Sequence, residues 1–312
     1  MAFDIKNIMN DWMKSIEESV CGFLKKIIEA SLNTSQDLLL TGMNSNKKGL
    51  FATFLSSHPA NFDGTLDGSG GTTIWTTIEK LCDTAIVPLG GFVLVVILLN
   101  DLIQQCIAGN NFRDFDTSII FKWVFKCLCG IILISNIFYI TSAFISFGSD
   151  ATSSAMTAIF GSADFIAAKS EIIVDAKDMG IGELAVILLM SGMFNLVVIA
   201  MLVIMIIVMA SRMIEIFMYL AISPIPIATM MHSDWGSIGK NWIKSVFALA
   251  FQGMFIVVAL SIFQTMFKNI ITNLAKGNTV MMQMIILMGY SVALCFTILK
   301  TGSISKSVFN AH

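Results

Sequence analysis

Uncharged, mostly apolar residues run without interruption over Cys127–Ser149, Leu184–Ser211, Ser245–Phe267 and Gly277–Leu299. A helix rises about 1.5 Å per residue, so about twenty residues cross the ~30 Å hydrocarbon layer of a bilayer, and each of these runs predicts a spanning helix. Two shorter runs, Thr84–Asn100 and Ile216–Met231, fit either a crossing of a thin bilayer or a broken, re-entrant helix buried against neighbours. With their flanks, the candidate spans are 84–104, 123–149, 184–211, 213–231, 243–267 and 278–299. The pattern predicts an all-α fold, a polytopic transmembrane helical bundle of about five or six spans. Strands of a membrane β-barrel would alternate apolar and polar residues, whereas Val186–Met209 is almost continuously apolar.

Ahead of the spans the periodicity changes. Ile5, Ile8, Met9, Trp12, Met13, Ile16, Val20, Phe23, Leu24, Ile27 and Ile28 recur at three- and four-residue steps, with charged residues largely between them. This is an amphipathic helix, and its moment serves a membrane-surface anchor, a docking helix for a partner, or a helix packed on its own bundle. Asn61–Thr72 carries Gly and Asp without periodicity and reads as a flexible link. Residues 1–73 therefore form an amphipathic interfacial region with a linker, and 74–312 the transmembrane domain.

Composition agrees: of 312 residues, 56% are hydrophobic and only 13% charged, against roughly a quarter charged in soluble domains. The net charge of -2 gives no general excess of cations for nucleic acid, so contact with a polyanion would be local or indirect. Six cysteines lie in or beside apolar runs and are expected as free thiols. No cleavable signal peptide is evident at the start of the chain. The division of Lys and Arg between the two sides places the C-terminus in the cytoplasm, whether Ile216–Met231 crosses or re-enters. The side of the N-terminus depends on that choice.

Candidate chemistry concentrates in Ser211–Lys244. Arg212 and Glu215 are three residues apart, share one helical face and can pair. They are read either as a polar contact facing a pore or subunit interface, or as a turn in the headgroup layer. Pro224 and Pro226 each lack a backbone donor, so the helix must break or kink near Ser223. Such a break is a candidate gate if it lies at membrane depth, and an ordinary helix end if it lies at the interface. Gln252 is one of five amides, with Asn136, Asn195, Gln264 and Gln283, that either glue helices together or line an aqueous path. Trp12, Lys122, Trp123, Lys126, Trp235 and Trp242 are candidate interfacial anchors. Gly236–Asn241 is no phosphate loop, because Asn follows Lys240 where Ser or Thr is needed and no strand precedes it. No catalytic, metal or cofactor constellation is visible, which predicts a protein that is not an enzyme.

Four segments, Asn110–Lys126, Ser211–Met230, Trp235–Gly253 and Leu294–His312, together resemble the TrbL-like polytopic conjugal-transfer membrane proteins of Gram-positive conjugative elements. The resemblance covers Ile74–His312. It implies a channel or scaffold subunit of a type IV secretion system in the bacterial cytoplasmic membrane. Such a subunit assembles with copies of itself and with other subunits, ATPases included, and helps pass relaxase-bound single-stranded DNA. A scaffold that does not touch DNA, and a secondary transporter, are the alternatives; the transporter would require a second broken helix and buried coupling charges.

Overall fold

The computed structural model describes residues 5–43, 55, 58–62, 73–108, 117–160, 180–232, 234–274 and 280–311. The predicted linker beyond Phe62, the connection 109–116 and most of the acidic loop, 161–179, lie outside the described residues. Among the described residues the chain is helical: α1 (Ile5–Met43), a 3-10 turn (Pro59–Asn61), α2 (Thr73–Leu81), a π turn (Cys82–Ile86), α3 (Val87–Ala108), α4 (Thr117–Phe160), α5 (Ile181–Ile222), the short α6 (Pro224–Thr229), α7 (Gly236–Leu274) and α8 (Val280–Val308). Five helical stretches are long and apolar enough to cross a membrane: 74–107, 120–159, 181–222, 236–270 and 281–308. The fold is thus an all-α polytopic bundle. The predicted spans 184–211 and 213–231 share the single helix α5 as far as Ile222, since nothing between them breaks a helix.

Pro88 imposes the π turn. Its missing N–H cannot close the preceding α-turn, and the backbone widens just before it, with Val87 N–H bonding to the Cys82 carbonyl. The second interruption falls at Ser223, between α5 and α6, where Pro224 and Pro226 withhold two donors. There Ser223 donates from both N–H and Oγ to the Leu220 carbonyl, and Thr229 Oγ1 donates to the Pro226 carbonyl at 2.6 Å. These hydroxyls take up carbonyls at the break, while Met230 N–H closes the end of α6 on the Ile227 carbonyl.

The chain divides into two compact units. The first contains residues 1–51, 157–207 and 258–299. In it α1 is fixed by Asn195 of α5, whose amide bonds to Ser31 and Ser35, while Ile28 and Leu32 are fully buried. Farther toward its N-terminus, α1 leaves Trp12, Met13, Ile16 and Phe23 exposed. The amphipathic face is thus used for packing at one end and open at the other.

The second unit contains residues 52–156, 208–257 and 300–312. Its helices are held by small residues at close approaches. A Cβ on Gly148 would lie 2.6 Å from the Ala250 carbonyl oxygen, so α4 and α7 touch backbone to backbone. Gly90 of α3 likewise admits Pro224, and Gly239 of α7 faces the Pro226 carbonyl, which is the role of the glycine that superficially suggested a phosphate loop. Ring contacts Phe144–Phe247 and Phe147–Phe251 run in register along α4 and α7, which are therefore parallel. Antiparallel to α7, the end of α8 donates from Ser305 to the Ala248 carbonyl and stacks Phe309 on Phe247 and Phe251.

Candidate functional site

The second unit gathers a polar centre between apolar helices. Arg212 is 2% exposed and donates to three backbone carbonyls: Leu249 at 3.3 Å, Ala250 at 3.2 Å and Leu55 at 3.4 Å. Room for the guanidinium comes from Gly253, where a Cβ would lie 3.0 Å from both Arg212 Nη1 and Thr152 Oγ1. The planar fork of donors suits carbonyls on separate segments, which a lysine could not reach together.

The expected Arg212–Glu215 pairing is not what the structure shows. Residues three apart lie 300° around a helix by the 3.6-residue turn, near enough to pair when both reach outward. Here Arg212 points into the contact with α7, where backbone carbonyls take up its donors. Glu215 instead lines an open cleft of about 580 Å³ together with Gln252, Gly302, Ser303, Lys306, Ser307 and Ala311. One wall is set by the way α8 ends: Asn310 takes a φ of 50°, while Ala311 N–H bonds to the Lys306 carbonyl and Asn310 N–H to that of Ser307. This Schellman closure is why an Asn sits there, and it turns Ala311 back toward the cleft. Gly302 leaves space for the Gln252 amide, 3.2 Å from where its Cβ would be.

The cleft thus brings together Glu215 and Gln252, singled out from the sequence, with Lys306, Ser303 and Ser307, which were not. Their only signal was the position of a polar tail after the last span. Leu55 was also missed, because it lies in the region read as interfacial. That stretch docks into the second unit: Leu55 is fully buried, Phe62 meets Phe217 with ring centres 6.2 Å apart, and His58 bonds to Ser146. Because His58 Nδ1 accepts from Ala60 N–H, the neutral ring carries its proton on Nε2 and donates it to Ser146 Oγ, which in turn donates to the Ser142 carbonyl.

Pro224 and Pro226 are buried and stand apart from the cleft, packed on α3 and α7. Of the predicted anchors, Trp12 and Trp235 are exposed at 72% and 50%, and Lys122 is exposed. Trp123 and Lys126 differ from simple anchors. Trp123 Nε1 donates to the Leu98 carbonyl at 2.9 Å and Lys126 Nζ to Asp101 Oδ2 at 2.6 Å, because α3 runs beside α4 and presents an acceptor at each level. Trp242 stacks on Tyr219. No group of three or more His, Cys, Asp or Glu side chains able to hold a metal occurs among the described residues.

A family model described as TrbL/VirB6 plasmid conjugal transfer like protein matches residues 51–224, more than half of the chain. The match takes in Leu55, the continuous α2–α3 stretch, Arg212, Glu215 and the first proline of the break. No curated protein and no solved structure matches the chain.

Proposed function

Since the chain belongs to the TrbL/VirB6-like plasmid conjugal transfer family, we propose that it is a channel subunit of a conjugative type IV secretion system in a bacterial cytoplasmic membrane, helping single-stranded DNA attached to a relaxase to pass. The observation that carries this reading is the polar cleft of Glu215, Gln252, Ser303, Lys306 and Ser307 in a chain otherwise built of apolar helices. Ionisable residues among membrane helices are costly and mark substrate paths or subunit contacts. In this reading Arg212, bonded to the α7 carbonyls behind the cleft, sets how its walls face one another, and the Pro224–Pro226 break is a separate element of the route.

The reading assigns no catalysis to this chain; the energy comes from ATPases of the same machine. Copies of the chain assemble around the DNA route, so that a local polar surface in each subunit suffices without a basic excess in one. The C-terminus lies in the cytoplasm. A fluorescent protein fused after His312 that folds only in the cytoplasm should therefore fluoresce, and a dark but inserted fusion would reverse the orientation.

The experiment is deletion of the gene from its element, complementation with wild type or Glu215→Leu/Lys306→Leu, and measurement of mating frequency alongside formaldehyde crosslinking of the transferring strand to this protein. Loss of transfer on deletion, crosslinks to wild type and at least a tenfold deficit in the variant are expected. Lost transfer with no crosslinks would favour a scaffold, and normal transfer in the deletion would end the conjugation reading.

A further inference from the structure

The polar side chains of the cleft differ from others in the bundle in having nothing to bond to. Asn195 is held by Ser31 and Ser35, Arg212 by three carbonyls, and Asp101 by Lys126 and Gln105. In the cleft, among the described residues, Glu215, Gln252, Ser303, Lys306 and Ser307 make no side-chain hydrogen bond, and Glu215 and Lys306 line one space without meeting as an ion pair. Gln252 decides the matter: it is only 8% exposed, yet its amide is unpartnered and lines the cleft. A buried amide left unpaired is unfavourable, so the cleft is built for a guest that takes up these groups.

The chemistry of the guest follows from the charges it would meet. A bare anion drawn to Lys306 faces the Glu215 carboxylate, and a bare cation drawn to Glu215 faces Lys306. A group bearing both charges answers both. Its phosphate accepts from Lys306 Nζ and the Ser303 and Ser307 hydroxyls, and its primary ammonium donates to Glu215 and to the side-chain carbonyl of Gln252. The helix that carries three of these five residues shows where such a guest comes from. At about 100° per residue, Ser303, Lys306 and Ser307 share one face of α8 with Val292, Phe296 and Leu299 on the preceding turns, and all six are exposed. Along that face the helix changes from apolar to polar just where its uncharged run ends, at Leu299 and Lys300, as an amphiphile changes along its own length. We propose that the cleft, of about 580 Å³, holds the headgroup of a phospholipid that carries a phosphate and a primary ammonium, as phosphatidylethanolamine does. The phosphate sits on Lys306, Ser303 and Ser307 and the ammonium on Glu215 and Gln252. This deepens the reading above by naming what fills the same cleft while no strand passes, and it rests on that reading for the lipid's displacement by DNA.

The test is native mass spectrometry of the full chain, purified in detergent and incubated with an equimolar mixture of phosphatidylethanolamine, phosphatidylcholine and phosphatidylglycerol with identical acyl chains. Phosphatidylethanolamine should be retained at least fivefold over the other two, because a quaternary ammonium cannot donate a hydrogen bond and the glycerol headgroup has no cation. Glu215→Gln should remove that preference, and Lys306→Gln should weaken retention of phosphatidylethanolamine at least fivefold. Both should melt as wild type does, since neither side chain is bonded within the described chain. Equal retention of the three lipids by wild type, or either variant retaining them as wild type does, would overturn the proposal. Soluble phosphoethanolamine, offered alone, should bind at least tenfold more weakly than the lipid; binding as tight as the lipid's would make a free zwitterion the guest and overturn the lipid. The measurement contains no DNA, so a deletion that mates normally would end the conjugation reading and leave the lipid result standing, and the reverse holds equally.

Discussion

Arg212 carries a full positive charge into a contact made of neutral dipoles. Of its three carbonyl acceptors, Leu249 and Ala250 sit inside α7 and already serve the helix ladder, so only the carbonyl of buried Leu55 stands outside that ladder when the guanidinium is removed. Burying a charge without an opposite charge is expensive, and apolar replacements of buried ionic groups are often neutral or stabilising by about 1–4 kcal/mol. Arg212→Met is therefore expected to insert and melt no lower than wild type while mating frequency falls at least tenfold; a large loss of thermal stability instead would make the residue purely structural. Arg212→Lys should fail as well, since a single ammonium cannot span Leu55, Leu249 and Ala250. In the Asp101–Lys126 pair the carboxylate is buried and also accepts from Gln105 while the ammonium is about a third exposed, so Asp101→Asn should cost about 1–3 kcal/mol by detergent denaturation. That Arg212 and Glu215 can pair by spacing yet meet different neighbours is instructive: spacing says which side chains share a helical face, but not which face a neighbouring helix will cover.

Helix contacts in the second unit depend on glycines whose neighbours differ in kind. Gly148 meets the backbone of Ala250, which cannot yield, whereas Gly130 meets only the Leu94 side chain at 3.1 Å. Gly148→Ala should accordingly destabilise the protein by about 1–3 kcal/mol, and Gly130→Ala by clearly less, as read from thermal melts of both variants in the same detergent. The break between α5 and α6 is a property of sequence, since two prolines within three residues leave no other outcome. Pro224→Ala/Pro226→Ala returns both donors and is expected to insert normally yet transfer poorly; unaltered transfer would mean that the break has no part in the route. Helix extents were less legible. The apolar runs marked where helices must be, but α4 continues to Phe160, past Asp150, because a helix ends at a breaker or cap and not where hydropathy falls.

Across the whole molecule, membership of the conjugal transfer family and the helical bundle were legible from the chain itself, the first from blocks of sequence texture and the second from uninterrupted apolar length. Both follow from local quantities. In hydrocarbon every backbone polar group must be satisfied within its own segment, so a long apolar run has only one structure open to it. The same holds for the proline break and for the amphipathic pattern of α1, which the chain dictates whatever surrounds them. What covers each face was decided only on folding. Tertiary packing turned Arg212 inward, set Glu215 in one cleft with Lys306, and brought Leu55 and His58 into the second unit. These contacts join residues as many as 157 positions apart. No period of 3.6 encodes them, because a side chain's partner is set by which helix lies beside it, and that is a property of the packed bundle.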